Sequence, residues 1–322
     1  MKAYLDILGN IYNNCTDVRM NRTGIPDIGT GHGATFVHDM ADGFPLITTK
    51  KMGLKNIATE LEFFLRGITD KKWLTDRKCK IWNEWANPIK VEQAYNLKKG
   101  IQEQNGIPLT LEQQQTLRNS IMDNERDLGP IYGFQWRHFG GDYEWDLNRI
   151  EKDPTDNFNP KKPGIDQVAT AIDKLKNNPN DRRILVSAWN PVDFGKMALP
   201  PCHVMHQLIV RDNKLNLIWT QRSCDMFLGI PYNIASYALL LLLYAKEAGM
   251  TPGILKGELH DAHIYTNHLA QVGEQLKRTP YKLPTVEIPD NNWNGMLNWS
   301  ADGGFLLKDY LCHESLRGTV AR

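Results

Sequence analysis

The chain has 322 residues, 41% of them hydrophobic, which is enough to bury a substantial core in one large domain or two small ones. Its 38 basic and 37 acidic residues leave a net charge of +1, a balance that argues against a general nucleic-acid binder but leaves room for a small anion held by local arginines. No apolar run is long enough to cross a bilayer, the longest being Tyr237 to Ala245. Residues 2–13 carry Tyr4, Leu5, Ile7, Leu8 and Ile11 at helical spacing and predict a helix, without the continuous apolar core or cleavage site of a signal peptide. Residues 28–37 read as an extended stretch with several glycines. Residues 54–66 predict a helix stopped by Gly67. Residues 87–126 are rich in Gln, Asn and Lys and read as a peripheral insertion, with a helix after Thr110, where Thr110 and Gln113 have capping-box spacing.

Residues 140–163 are polar and predict a surface loop, and residues 167–177 predict a helix ended by Asn178-Pro179. Ile184–Trp189 is a short apolar run. Met205–Val210 and Leu215–Gln221 flank Arg211-Asp212-Asn213-Lys214 as a hairpin. Residues 234–248 are apolar nearly all round, which marks a core helix closed by Gly249, and residues 263–278 predict a further helix. Strands and helices mix without regular βαβ alternation, which favours α+β. The expectation is a single catalytic domain over residues 1–322 with its insertion at about 87–126. The five cysteines, Cys15, Cys79, Cys202, Cys224 and Cys312, are scattered and form no CxxC pair, which fits a reducing cytoplasm and neither a disulfide framework nor a zinc site. No metal is expected.

Cys202 follows two prolines and precedes His203; that histidine and Arg222 are the cations that would favour a nucleophilic thiolate. A buried structural cysteine is the competing reading. Arg22, Arg182, Arg183, Arg222 and Ser223 suit phosphate oxygens, although arginines at element ends are commonly surface ion pairs. Glu60 sits on a helix face with Ile57, Leu61 and Phe64, where a carboxylate is costly unless solvated or engaged in proton work; Glu62, on the other side, reads as solvated. Asn233 offers an amide to a pyrimidine edge, or else an N-cap to the core helix that follows. His263 and Tyr265 share a face if that segment is extended, and Trp82 and Trp85 suit either a flat heterocycle or a core.

Taken together, the strings MALPPCH (197–203) and QRSCDMFLGIPYNIASYA (221–238) resemble the nucleophile segment and the longest signature of the thymidylate synthase family. NRTG (21–24), GFPLITTK (43–50), IWNEW (81–85), DLGPIYG (127–133), DRR (181–183) and DAHIY (261–265) match in the same order. The resemblance runs to about residue 280, interrupted at 87–126 and 143–163. It implies a large mixed β-sheet packed by helices with a small inserted subdomain. It also implies transfer of a one-carbon unit from 5,10-methylenetetrahydrofolate to C5 of dUMP through a covalent Cys202–C6 adduct.

The residue roles it implies are these. Glu60 and Tyr132 organise proton transfer. Arg22, Arg222 and Ser223 hold the phosphate, with Arg182 and Arg183 supplied across a homodimer interface. His263 and Tyr265 hold the sugar, and Asn233 selects uracil over cytosine. Lys50, Trp82, Trp85, Leu199, Asp225, Gly229, Tyr232 and Ala321 form the folate side. The implied partners are dUMP and folate, with neither nucleic acid nor membrane, and the implied compartment is a cytoplasm, a host's where the source is a virus.

Four departures bear on the product. Gly53 replaces a larger residue, His260 stands where the family has glycine, and Glu62 makes a Glu60-Leu61-Glu62 string that resembles a phage hydroxymethylase. The tail YLCHESLRGTVAR (310–322) lacks the family's proline pair and ends in Arg322. Two readings compete for the catalytic outcome. A lid that excludes water gives dTMP and dihydrofolate, while water entry gives 5-hydroxymethyl-dUMP and tetrahydrofolate. A catalytically inactive nucleotide- or RNA-binding homologue is a third reading, against which the presence of Cys202, Glu60 and Arg222 stands.

Overall fold

The computed structural model describes residues 1–106 and 108–321. Its elements in chain order are α1 (Lys2–Asn14), β1 (Val18–Arg19), β2 (Asp27–Gly29), β3 (Ala34–Asp39), α2 (Leu54–Leu65), α3 (Lys71–Asp76), α4 (Pro88–Gln104), α5 (Leu111–Asn124), α6 (Tyr132–His138), α7 (Leu147–Ile150) and α8 (Gln167–Asn177). There follow β4 (Leu185–Ser187), β5 (His203–Arg211), β6 (Lys214–Asp225), α9 (Gly229–Ala248), β7 (Thr251–Tyr265), α10 (Leu269–Lys277), β8 (Thr285–Glu287) and β9 (Leu306–Lys308). They sort into two compact units. One is Met1–Leu61, Thr170–Val186 and Cys202–Arg322, and the other is Glu62–Ala169 and Ser187–Pro201.

The first unit is built on a mixed sheet of order β1-β2-β7-β6-β5-β4, with β3 also paired to β7. The expected hairpin is β5–β6. Its turn is tighter than the four residues read from sequence, because Asp212 (φ 50°) and Asn213 (φ 56°) both take the left-handed conformation of a two-residue type I′ turn. β6 and β7 run parallel, so the chain must cross over between them, and α9 is that crossover. The helix is apolar all round because it is enclosed on nearly all sides, from Ile230 through Leu239 and Leu243 to Ala245. Gly249 (φ 66°) closes it, as Gly67 (φ 70°) follows α2.

The sequence reading misses β7, a strand of 15 residues, and places a helix from residue 263 where the chain stays extended to Tyr265 and turns into α10 only at Leu269. The cause lies in its buried face, Gly253, Leu255, Gly257 and Leu259, where glycines interrupt the apolar alternation. Gly257 is there for space, since a Cβ would fall 2.4 Å from the Trp219 ring. Trp219 stacks on Tyr237 of α9 (5.1 Å, 6°) and tilts against Phe36 of β3 (5.9 Å), so one aromatic column joins helix and sheet. The stretch read as extended over 28–37 is split into β2 and β3, both antiparallel to β7.

In the second unit, α4 and α5 pack around Ala86, Val91, Tyr95 and Ile121. The capping box of Thr110 and Gln113 is present. α4 itself escapes the sequence reading because Val91 and Tyr95 supply most of its buried apolar surface. The 140–163 segment is largely irregular as expected, but it is not merely surface. Asn157 is fully buried and donates to Gly67 O (2.8 Å) and Thr69 Oγ1 (3.1 Å).

Candidate active site

Strands of the first unit bring Cys202 and its neighbours to one cavity. Cys202 immediately precedes β5, and Arg222 and Ser223 lie near the end of the adjacent β6. Arg222 N donates to Cys202 O at 2.8 Å, and its Nη2 lies 3.9 Å from Cys202 Sγ. β7 adds Asp261, His263 and Tyr265, and the loop between β1 and β2 adds Arg22 and Thr23; all of these line the cavity. The β7 register places His263 and Tyr265 on one face, as an extended segment requires, with ring centroids 5.0 Å apart.

His263 is buried, and its Nδ1 donates to Asp261 O at 3.0 Å, which leaves Nε2 for a ligand. Burial pushes its pKa down, but the Asp261 carboxylate, 3.6 Å away, and Asp225 more than offset this, so the net shift is upward. Asp261 is lowered by the same contact and by Arg19, whose Nη2 also bonds Asp27. Tyr265 is raised, by burial first and then by Asp225 and Asp27.

Asn233 is not an N-cap. α9 begins at Gly229 with Leu228 as its cap, so Asn233 stands inside the first turns. Its Oδ1 accepts from Gln221 Nε2 (3.0 Å), while Gln221 is held by Trp219 Nε1 (3.2 Å) and Ser223 O (3.0 Å). Asp225 Oδ1 accepts the N–H groups of Phe227 and Leu228, both at 3.0 Å. At Gly229 a Cβ would lie 3.5 Å from Asp225 Cβ and 3.8 Å from Asn233 Oδ1, so the helix start keeps those two side chains close. Lys50 is buried, donates to Phe227 O and sits 3.9 Å over the Phe227 ring; burial lowers its amine to about 8.

The remaining expected site residues are not among those that line this cavity. Arg182 and Arg183 are exposed, Arg183 pairing with Asp181 at 3.0 Å. Glu60 is half-buried on α2, Tyr232 half-buried on α9, and Ala321 half-buried in the tail. In the second unit Phe64, Trp82 and Tyr132 form an aromatic cluster with centroids 5.0 to 6.3 Å apart. There Trp85 and Leu199 are half-buried. Lys71, buried, donates to the carbonyls of Asn83 (2.9 Å), Trp85 (2.9 Å) and Met122 (2.6 Å), which fixes the tryptophan turn against α5.

A family model described as "Thymidylate synthase" matches residues 2–322. The chain is 42% identical over 287 residues to "Thymidylate synthase 1/2" of Encephalitozoon cuniculi (strain GB-M1), covering 88% of this chain and 85% of that one. It is 39% identical over 304 residues to "Thymidylate synthase" of Listeria monocytogenes serotype 4b (strain CLIP80459), covering 90% of each. It is also 39% identical over 318 residues to "Bifunctional dihydrofolate reductase-thymidylate synthase" of Paramecium tetraurelia, covering 99% of this chain and 60% of that protein.

This chain belongs to the thymidylate synthase family.

As a member it is a folate-dependent one-carbon transferase. Several expectations about individual residues change on the structure. His203 is not the cation beside the thiol: burial pushes its imidazole down to about 3, and its Nδ1 is paired with Tyr237 Oη at 2.9 Å. Arg222 is the cation that reaches the sulfur. Glu62 is not solvated. It is buried, and Arg66 one turn on supplies the counter-charge at 2.8 Å. Residues 61–65 of α2 are all buried, so neither side of the helix faces water there.

The departures from the family pattern also find their places. Gly53 is exposed, and a Cβ there would meet nothing within 4 Å. His260 is exposed in regular strand and lines a shallow cavity with His32, Thr35 and Glu258, outside the lining of the Cys202 cavity. Arg322, to which the sequence reading gave a part in closing the tail, lies outside the described residues. The residues that reading gave no role are Arg19, Asp27, Asp261 and Gln221. Asp261 and Gln221 lie inside the signature strings, and Arg19 lies three before Arg22, but only the folded chain shows that Arg19 binds Asp27 and Asp261 and that Gln221 holds Asn233.

Proposed function

We propose that the chain converts dUMP and 5,10-methylenetetrahydrofolate to dTMP and dihydrofolate, with Cys202 as the nucleophile. The observation that carries this is the arrangement of Cys202 Sγ, 3.9 Å from the Arg222 guanidinium, in a cavity also lined by Arg22, Ser223, His263 and Tyr265. A cation at that distance favours thiolate over thiol, and thiolate is the form that adds to C6 of the pyrimidine. The same guanidinium, with Arg22 and the Ser223 hydroxyl, suits a dianionic phosphate. His263 Nε2 and Tyr265 Oη suit a sugar hydroxyl.

Asn233, whose Oδ1 takes the Gln221 amide, has its Nδ2 left to donate to a carbonyl at the uracil O4 position. After Cys202 adds, C5 carries the electron pair and attacks the methylene carbon. Glu60 and Tyr132 handle the protons in this reading. Bound folate supplies first a methylene group and then a hydride. Within the first unit, the Asp225 carboxylate and the Lys50 amine suit the polar groups of an amide-bearing heterocycle with an acidic tail. The relatives carry the synthase name, which supports hydride over water as the terminating step.

The active form in this reading is a homodimer in which Arg182 and Arg183, exposed and outside the cavity lining, complete the partner's phosphate site. Strand residues Val18 (58% exposed), Val37 (48%) and Leu185 (37%) leave apolar surface for a partner to cover. A cytoplasmic location is in keeping with the free cysteines. Among the described residues no helix is long and apolar enough to cross a membrane.

The test is to incubate the protein with dUMP and methylenetetrahydrofolate and weigh both products. dTMP with dihydrofolate is expected, together with a covalent nucleotide adduct on Cys202 under trapping conditions. 5-Hydroxymethyl-dUMP with unoxidised tetrahydrofolate would overturn the reading.

A further inference from the structure

The tail beyond Tyr310 is held by a row of donors within its own unit. His313 N donates to Thr48 O at 2.8 Å, and Arg278 Nη1 donates to the carbonyls of Glu314 (2.8 Å) and Thr49 (3.0 Å). Further along, Gln271 Nε2 reaches Arg317 O (3.2 Å), and His268 Nε2 reaches Thr319 O (2.9 Å). His268 is the fully buried member of the row, at 0% exposure, while Gln271 and Arg278 keep some contact with solvent.

The surroundings of His268 join two parts of the site. Its ring lies 6.0 Å from Tyr265, which lines the Cys202 cavity, at an interplanar angle of 87°. On another side it lies 5.1 Å from Phe227, whose N–H is held by Asp225 and whose carbonyl takes Lys50. A carbonyl only accepts, so Nε2 carries the proton. His268 Nδ1 is buried without a hydrogen-bond partner among the described residues, so the Thr319 carbonyl is what selects this tautomer. The tail meets this ring closely. A Cβ on Gly318 would lie 2.8 Å from His268 Nε2 and 3.0 Å from Phe227 Cε1, so the tail approaches both rings this closely because residue 318 has no side chain.

We infer that His268 is a positioning residue for the last step of the reaction, a buried latch that holds the tail carbonyl of Thr319 and thereby keeps water from the reacting methylene. The inference rests on the dTMP reading. After the methylene is transferred, C5 gives up its proton to a base as the C–N5 bond to folate breaks, so that C5 bears an exocyclic CH2 while Cys202 is still bonded to C6. Hydride from tetrahydrofolate adds to that CH2, the C5=C6 bond re-forms and the Cys202 thiolate departs; tetrahydrofolate also loses its N5 proton and becomes dihydrofolate. If water enters, its oxygen adds to the same carbon, its proton goes to the departing thiolate or to solvent, and tetrahydrofolate is not oxidised. The two products therefore report directly on the seal. His268 touches neither, and acts through the tail.

The experiment measures the ratio of dTMP to 5-hydroxymethyl-dUMP, and KM for each substrate, in the full-length protein and three variants. His268→Phe keeps ring packing against Phe227 and Tyr265 but deletes the donor. Gly318→Ala pushes the tail off the same ring from the other side and alters no core residue. His268→Gln restores an N–H donor. The expected result is about a five- to tenfold rise in the water product for His268→Phe and Gly318→Ala, the range that one net hydrogen bond supplies. KM should rise for folate and stay within about twofold for dUMP, and His268→Gln should recover much of the ratio.

Wild-type product ratios in a folded His268→Phe or in Gly318→Ala would overturn the latch, as would a His268→Gln protein no better than His268→Phe. A wild-type protein that itself releases 5-hydroxymethyl-dUMP would overturn the dTMP reading, and the latch with it. Normal dTMP formation with unchanged variants would overturn the latch alone.

Discussion

At the scale of single residues, the structure exchanges one cation for another beside Cys202, the proposed nucleophile. His203 is adjacent to Cys202 in sequence but is kept neutral by burial, whereas Arg222, twenty positions away, is brought within 3.9 Å of the sulfur by strand pairing. Alkylation of Cys202 should therefore slow at neutral pH in Arg222→Gln and keep its pH profile in His203→Phe; the reverse order would return the role to histidine. Asn233→Asp should move preference from dUMP toward dCMP by about 100-fold or more in relative kcat/KM, because a carboxylate accepts where the amide donates. Unchanged dUMP kinetics would disprove the proposed pose.

The Asp261–His263 pair gives a pH prediction. His263 is raised from its ordinary 6.5, so its contribution to stability is full below 6.5 and is lost as pH rises through the higher folded value. Asp261 is lowered from 3.8, so its contribution is full above 3.8 and is lost as pH falls through the lower folded value. The Tm gap between wild type and Asp261→Asn should therefore be widest between those two ordinary values and narrow on both sides, which thermal melts across pH would show.

At the scale of elements, the α4–α5 pair is the part with its own small core, and we propose that it is a peripheral insertion. Ile121→Ala removes a buried side chain from a cluster of few members and should cost about 2–4 kcal/mol locally. Hydrogen exchange in residues 88–124 should rise while KM for dUMP stays unchanged. Lys71 behaves differently because it ties α5 to the Trp82–Trp85 turn. Burial lowers its pKa, yet three carbonyls hold its ammonium. Lys71→Met leaves those acceptors unpaired, at a cost of about 3 kcal/mol or more. It should also weaken folate binding, and an unchanged folate KM would separate that turn from the folate site. The Thr110 and Gln113 capping box was readable in advance because it is a local contact; α4 was not, because so few of its residues carry the apolar signal.

At the scale of the whole molecule, the proposal that Arg182 and Arg183 serve the partner's site predicts complementation. Arg182→Ala and Cys202→Ser proteins should each be inactive alone. Mixed and allowed to exchange subunits, they should regain up to about a quarter of wild-type activity, since half of the dimers are hybrids and each hybrid has one intact site. Sedimentation should report a dimer, and absence of complementation in exchanged mixtures would place Arg182 in its own subunit's chemistry.

The sequence by itself supplied the candidate side chains for the proposed chemistry, because the signature strings carry Cys202, Arg222, Asn233, His263 and Tyr265 with their spacing intact. It also determined the elements whose signals are local, such as α2, α9 and the β5–β6 turn. Tertiary structure alone decided which groups are charged and what holds them in place. A pKa depends on burial and on neighbours, so His203 and Lys50 read one way as letters and another way once enclosed, and Glu62 proves buried beside Arg66. The same holds for β7, whose glycines hide its alternation until Trp219 fills the space above Gly257. It holds too for His268, which has no meaning in sequence until the tail lies across it.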